Sequence, residues 1–359
     1  MTSTRSSNPL DTAPIEALDR LIRNAGGDPD DLTGKLVREM MHTCLKLVGD
    51  GADAGELKLL VRSFKELRYA FKVFRAYRQV RKVSVFGSAR TPPDHPHYKA
   101  AEAFSHAIAR AGWMVITGAG DGIMRAGHSG AGRKASFGVS IRLPFETNAN
   151  EFIVGDEKLI NFRYFFTRKL MFVSQAHAVA LFPGGFGTHD EGFEVLTLIQ
   201  TGKSAIVPVV MIDSPGGNRR HGGRGGDYWK QWDRYVREHL LAKGMISPED
   251  LNLYRVTDDP DEAVRHILQF YRNYHSQRFV RDDLVLRISR PLTDRQVEML
   301  NEEFADLVRT GRITQGGPLE GETTYLDLPR LSFCFTRRSY GRLRLMIDRI
   351  NEFDATNTA

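Results

Sequence analysis

The sequence predicts an α/β protein: a Rossmann-like, doubly wound parallel sheet, with an N-terminal helical segment and a small C-terminal α+β appendage. Three observations carry this. Between residues 81 and 275, short apolar runs rich in Val, Ile and Phe alternate with helical patterns. Strands that are apolar on both sides belong to a parallel sheet covered on both faces. Two of these runs end in glycine-rich turns that open onto helices, and ligands are expected at such carboxyl ends of strands. On either side the pattern changes, to amphipathic helices before this stretch and to a strand–helix–strand–helix order after it.

Residues 1–30 read as a polar tail followed by a short helix. A helix is predicted over 31–48, because Leu36, Val37, Met40, Met41, Cys44, Leu47 and Val48 recur at helical spacing. The next helix, over 55–79, carries Leu57, Leu60, Phe64, Leu67, Phe71 and Phe74 on one side. Its other side is a basic stripe of Lys58, Arg62, Lys65, Arg68, Lys72 and Arg75. Such a stripe is ordinarily a solvated face, and the competing reading is a phosphate or nucleic-acid surface. Strands are predicted in VSVFGS (83–88), WMVITGAG (113–120), SFGVSIRLP (136–144), AVALFPGG (178–185), AIVPVVMID (205–213) and LYRV (253–256). Helices fall between them, at 98–111, 165–176 and 228–242. The segment SPGGNRRHGGRGG (214–226) has six glycines, three arginines and no apolar residue, and predicts a surface loop. Further on, strands are expected at 284–289 and 330–336, and helices at 293–310 and 340–353. The expected division is therefore 1–80, 81–275 and 280–355.

With 359 residues, 41% of them hydrophobic and 26% charged, the chain is long enough for one central domain with additions. No run approaches the roughly 18 apolar residues of a spanning helix. The first residues lack the apolar core of a secretory signal. Cys44 and Cys334 stand far apart without metal-ligand spacing, so neither a disulfide framework nor a zinc site is expected, and the expected location is cytoplasmic. The net charge of +6 suits a phosphate-bearing partner without requiring one.

The chemistry concentrates in two turns, Gly118-Ala119-Gly120-Asp121-Gly122-Ile123-Met124 and Pro183-Gly184-Gly185-Phe186-Gly187-Thr188. Glycine lets backbone approach a phosphate closely, and the helix that follows supplies N–H groups and a partial positive charge. The first strand ends in Gly87-Ser88-Ala89-Arg90 with no G-x-G-x-x-G, and GxxxxGK[ST] is missing. A mononucleotide is therefore favoured over a dinucleotide. Past the second turn, Thr188, Glu191 and Glu194 are three apart and share one helix edge. A carboxylate there could hold or activate a water one turn from a bound phosphate. Equally, Thr188-x-x-Glu191 fits a capping box. Upstream, Arg163, Arg168 and Lys169 lie among Phe162, Tyr164, Phe165 and Phe166. Arg168 could clamp phosphate or ribose, or make a surface ion pair.

The run RYFFTRKLMFVSQAHAVALFPGGFGTHDEGFEVLTLIQTGK (163–203), with its Arg-Lys pair and PGGxGTxxE pattern, resembles the Lonely Guy family, once labelled lysine decarboxylases. VFGSAR (85–90), GAGDGIMRAG (118–127) and SIRLPFE (140–146) resemble its other blocks, so the likeness covers about residues 80–270. The chain departs from the longer sub-group at Thr167 for valine, His189 for leucine, Gly192 for a large apolar residue and Asp121 for proline. The resemblance implies hydrolysis of the N-glycosidic bond of a nucleoside 5′-monophosphate, AMP or a cytokinin riboside monophosphate, without cofactor or metal. It implies Arg168 and Glu191 as the catalytic pair, with Gly184, Gly185, Gly187 and Thr188 around the 5′-phosphate. Gly87, Ser88, Gly118, Gly120, Gly122, Met124, Lys169 and Glu194 complete the expected substrate contacts. A homodimer or larger homo-oligomer is also implied. The alternative is a non-enzymatic binder on the same fold, for nucleotide, molybdenum cofactor or single-stranded nucleic acid. Retention of both Arg168 and Glu191 favours the enzyme, and no nucleic-acid or membrane partner is expected.

Overall fold

The computed structural model of the chain describes residues 13–141, 149–214 and 227–353. The polar tail before residue 13, the end of SIRLPFE beyond Ile141 and the basic loop from residue 215 lie outside the described residues. The chain divides into two compact units between Lys65 and Glu66.

The first unit holds α1 (Ala13–Asn24), α2 (Leu32–Gly49) and the start of α3 (Ala54–Arg75). Asp31 caps α2 by accepting from the Gly34 N–H at 2.6 Å. Arg38 on α2 pairs with Asp19 on α1 at 2.5 Å and donates to the Pro29 carbonyl at 2.7 Å.

The second unit is built on a seven-stranded parallel sheet in the order β4-β3-β2-β1-β5-β6-β7. The strands are β1 (Lys82–Phe86), β2 (Met114–Thr117), β3 (Ser136–Ile141), β4 (Leu159–Phe162), β5 (Ala178–Leu181), β6 (Val209–Ile212) and β7 (Tyr254–Thr257). Side chains alternate across β1 as a strand requires. Val83 and Val85 enter one core with α4 (Pro96–Arg110), α5 (Ile123–Ala131) and α9 (Pro260–Phe270). Phe86 enters the opposite core with α6 (Phe165–Ser174) and α7 (Phe186–Gln200). On that face the Ser84 hydroxyl is buried and donates to the Phe172 carbonyl at 2.9 Å.

After α9 the chain forms a four-stranded antiparallel sheet, ordered β10-β11-β9-β8. Its strands are β8 (Tyr274–Val280), β9 (Asp283–Ile288), β10 (Val308–Gly316) and β11 (Arg330–Phe335), accompanied by α10 (Asp294–Glu303) and α11 (Tyr340–Glu352). Leu284, Phe333, Met346 and Ile350 belong to the same continuous core as Val195, Ile199 and Ile206 of the parallel-sheet side. Helix α11 approaches the 3₁₀ turn Pro248–Leu253 so closely that a Cβ at Gly341 would lie 2.1 Å from the Glu249 carbonyl oxygen.

Three strands differ from expectation. β4, β8 and β10 were not anticipated, and the helix expected over 293–310 ends at Glu303. A 3₁₀ turn at Ala305–Leu307 keeps the apolar spacing going for three residues before the backbone extends into β10. The helix expected over 228–242 is α8 (Tyr228–Tyr235), continued by a π-helical turn at Val236–Leu241.

Candidate active site

β1 and β5 are neighbours, yet the chain leaves β1 toward α4 on one face of the sheet and leaves β5 toward α7 on the other. A crevice opens where neighbouring strands diverge in this way. Here it is a cavity of about 750 Å³. The end of β1 contributes Gly87, Ser88 and Arg90, the end of β2 contributes Gly118 and Met124, and α6 contributes Phe165 and Arg168. The β5–α7 turn supplies Gly184 through Glu191.

The strand-end turns are bonded to one another. Ser88 N–H donates to the Pro183 carbonyl at 3.1 Å, and Ile123 N–H donates to the Ser88 carbonyl at 3.0 Å. Gly122, at φ +64°, passes so close that a Cβ would lie 2.2 Å from the Ser88 carbonyl oxygen. A Cβ at Gly184 would lie 2.1 Å from Thr188 Oγ1. These two glycines serve closure of the turns. Gly185 and Gly187 differ, because a Cβ on either would meet nothing within 4 Å. Their bareness leaves room over the first turn of α7.

Helix α7 starts at Gly185, with no side chain capping it. Thr188 N–H bonds to the Gly185 carbonyl at 3.0 Å, which puts Thr188 inside the first turn and not at its cap. The capping-box alternative for Glu191 is thereby removed. An uncapped helix start offers unpaired N–H groups and positive partial charge to an anion.

Glu191 is buried, and its Oε2 has no hydrogen-bond partner among the described residues. Burial pushes its carboxyl up to about 7, against the opposing pull of Lys169 and Arg168. Lys169 holds the two neighbouring carboxylates, Glu194 at 2.6 Å and Asp190 at 2.7 Å. Burial works against the Lys169 charge, but these two bonds outweigh it and raise its pKa. Arg168 donates from Nε to the Val139 carbonyl at 2.9 Å, and its guanidinium lies 5.1 Å from the Phe172 ring centre. A Cβ at Gly118 would sit 2.5 Å from Arg168 Nη2, so glycine at 118 is what admits the guanidinium.

Of the expected contacts, Gly87, Ser88, Gly118, Met124, Arg168, Gly184, Gly185, Gly187, Thr188 and Glu191 line one cavity. Gly120, Gly122, Lys169 and Glu194 do not line it. Gly120 and Gly122 shape the first turn, and Lys169 with Glu194 forms the ion pair behind Glu191. That first turn is held from below by a buried network. His128 Nδ1 lies 3.1 Å from Asn150 Oδ1 and its Nε2 3.0 Å from both Thr117 Oγ1 and the Phe137 carbonyl. Asn150 Nδ2 donates to the carbonyls of Ala119 and Gly120 at 3.1 and 2.9 Å, and Ala119 takes the left-handed conformation, φ +65°.

Sequence reasoning missed Arg90, Phe165 and His189 in the lining, and Tyr228 behind it. Tyr228 donates to the Gly184 carbonyl at 2.5 Å. A carbonyl can only accept, so the 2.6 Å contact between His189 Nε2 and the Tyr228 oxygen is a donation from the ring. Burial lowers the His189 pKa, which favours this neutral, Nε2-protonated form. The signal for His189 was present, as a polar residue where the resembled motif has leucine. Tyr228 comes from α8 and left no local trace.

A family model described as possible lysine decarboxylase matches residues 119–267, from the first glycine turn through most of α9. No curated protein matches the chain. Among solved structures, the molybdenum cofactor binding protein of Rippkaea orientalis is similar at 18% identity, over 53% of this chain and 96% of that one, with a TM-score of 0.37. The molybdenum cofactor carrier protein of Chlamydomonas reinhardtii is similar at 18% identity, over 53% and 97%, with a TM-score of 0.35. DNA processing protein A of Helicobacter pylori, described as binding single-stranded DNA, is similar at 12% identity over 53% and 80%, with a TM-score of 0.31. No helix among the described residues is long and apolar enough to cross a membrane.

Proposed function

We propose that the protein hydrolyses the N-glycosidic bond of a nucleoside 5′-monophosphate, releasing the free base and ribose 5-phosphate. The observation that carries this reading is Glu191: a buried carboxyl with an orphaned oxygen and a pKa near 7, in a cavity that opens on an uncapped helix start. On this reading the 5′-phosphate lies over Gly185 and Gly187, where no Cβ intrudes, and Arg168 holds the ribose phosphate from the opposite side. As the C1′–N bond lengthens, positive charge develops on the sugar, and an ionised Glu191 offsets it while taking a proton from the attacking water. The water oxygen bonds to C1′, the glycosidic electron pair leaves with the base, and the base nitrogen takes up a proton, in net terms the one that Glu191 accepted from the water. A carboxyl near 7 is matched to this duty, being largely ionised just above neutral pH yet basic enough to accept a proton. Lys169 keeps Asp190 and Glu194 occupied, so Glu191 acts without competition from them. The matched family's decarboxylase description would need a lysine free to bind an aldehyde cofactor. Among the described residues no lysine lines the cavity, and Lys169 beside it is held by two carboxylates.

The same proposal includes a homodimer or larger assembly, supported by the exposed apolar residues Phe165, Phe166 and Leu170 on α6. Light scattering that finds a monomer at micromolar concentration counts against it. The activity is tested by incubating the protein with AMP and a panel of other 5′-mononucleotides, with chromatography for free base and an assay for ribose 5-phosphate. Release from at least one nucleotide, lost in Glu191→Gln, supports the reading. Nucleotide binding without release from any member overturns it in favour of a carrier.

A further inference from the structure

Helix α6 brings Arg168 to the cavity, yet its cap residue, Tyr164, contributes no side-chain hydrogen bond to the helix start. The capping group comes from far away in sequence. Glu66, in α3, accepts from Arg163 N–H through Oε1 at 2.8 Å and from the Thr167 hydroxyl through Oε2 at 2.7 Å. Its carboxylate thus engages both the residue before the cap and the buried third residue of the helix, at the end where the helix dipole is positive. The Thr167 hydroxyl is also 3.0 Å from the Tyr164 carbonyl, so the same side chain closes the first turn internally.

Arg168 is the next residue after Thr167. Its guanidinium has little freedom: Nε is spent on the Val139 carbonyl at 2.9 Å, and Gly118 stands where any Cβ would touch Nη2 at 2.5 Å. A group seated this tightly goes wherever its helix goes. We infer that Glu66 is a positioning residue for Arg168, fixing the start of α6 so that the guanidinium meets the ribose phosphate of the bound nucleotide. Thr167 is half of the device, and it stands where the resembled motif carries valine, which has no hydroxyl to offer. The inference rests on the proposed function only for what Arg168 does, and not for how Arg168 is held.

The test uses the full chain labelled with ¹⁵N-arginine, comparing wild type with Glu66→Ala, Glu66→Gln and Thr167→Val. The Arg168 Nε–H signal is assigned by its loss in Arg168→Lys. The Nε–H of Arg344, which bonds to Asp348 at 3.0 Å, serves as a distant internal control. In Glu66→Ala, Arg168 Nε–H exchange is expected to quicken at least about tenfold, with kcat on AMP falling by about ten- to a hundredfold, the scale of a sub-ångström to ångström misplacement. Glu66→Gln keeps one acceptor for the Arg163 N–H and is expected to recover part of both. Thr167→Val keeps the buried volume and loses only the hydroxyl, so it repeats the effect in milder form even if Glu66→Ala folds poorly. Unchanged Arg168 exchange in Glu66→Ala and Thr167→Val overturns the inference, and so does equal acceleration at Arg344, which would signal general loosening. A wild type that is inert on every nucleotide, while Arg168 exchange responds as expected, overturns the proposed function and leaves the positioning role standing.

Discussion

Replacing Glu191 with glutamine separates the electrostatics of the site from its shape. The folded-state pKa of about 7 against an ordinary 4.5 means that the native protein holds this proton more tightly than the unfolded chain does. Below pH 4.5 both states are protonated and the group costs nothing. Between 4.5 and 7 wild-type stability falls as pH rises, because the unfolded chain releases the proton first. Above 7 the full cost of a buried charge is present, and at 1.36 kcal/mol per pKa unit it comes to about 3 kcal/mol. Glutamine has the same size and no such titration. Glu191→Gln is therefore expected to gain about 2.5 kcal/mol on wild type between pH 5 and pH 8, since a little of the cost is already present at pH 5, measured as the change in their stability difference by urea unfolding at the two pH values. Base release from AMP should meanwhile fall by about a hundredfold or more, because glutamine can neither accept a proton nor offset positive charge. A stability difference that moves by less than about 1 kcal/mol between the two pH values would refute the electrostatic argument. Retained activity would transfer the catalytic role to Glu194 or Asp190.

Gly185→Val should fold like wild type, because a Cβ there meets nothing within 4 Å, and should lose AMP binding; normal binding would put the phosphate elsewhere. Gly184→Ala should do the reverse and destabilise the fold by about 2 kcal/mol or more, since its Cβ collides with Thr188 at 2.1 Å; an unchanged melting temperature would contradict this. Lys169→Met removes the larger of the two cationic pulls holding the Glu191 pKa down, so the acid limb of the pH–rate profile should move upward by up to about one unit, and a downward move would reverse the assignment. His128→Leu takes away the buried ring that sits between Asn150 Oδ1, Thr117 Oγ1 and the Phe137 carbonyl beneath the first glycine turn and should cost about 2–4 kcal/mol in urea unfolding; a loss under about 1 kcal/mol would show the network to be dispensable.

What the sequence made legible was local and apolar. The runs VSVF, MVIT, AVAL and VVMI are buried throughout, and no reading but a buried strand suits four such residues between helices. β8 and β10 gave no such signal. Their sequences, YHSQRFV and VRTGRITQG, are mostly half-buried or exposed, as suits strands at the two edges of their sheet, and polar residues there hide the period of two. LINF of β4, also an edge strand, is too short to declare itself. The glycine turns and the Arg168 and Glu191 positions were legible because each motif is contiguous. The start of α7 lies three residues before the Thr188 that the capping-box alternative would have made its cap, since Thr188 imitates a cap and glycines before it hide the helix start. Glu66 and Tyr228 reach the site only through folding, and no spacing rule links residue 66 to residue 167 or residue 228 to residue 184.

The continuous core shared by the two sheets has a consequence for how the protein is made. Val195, Ile199 and Ile206 lie early in the chain relative to Leu343, Met346, Ile347 and Ile350, with which they share one core. During synthesis every strand of the parallel sheet leaves the ribosome before α11 does, so one apolar face waits uncovered while the intervening residues are translated. A nascent chain stalled before residue 340 would hold all the residues that line the strand-end cavity on a sheet with an open flank, a natural client for a chaperone. The parallel sheet thus has its full apolar cover only once the last helix of the core arrives, and the interval before that is the one most open to aggregation.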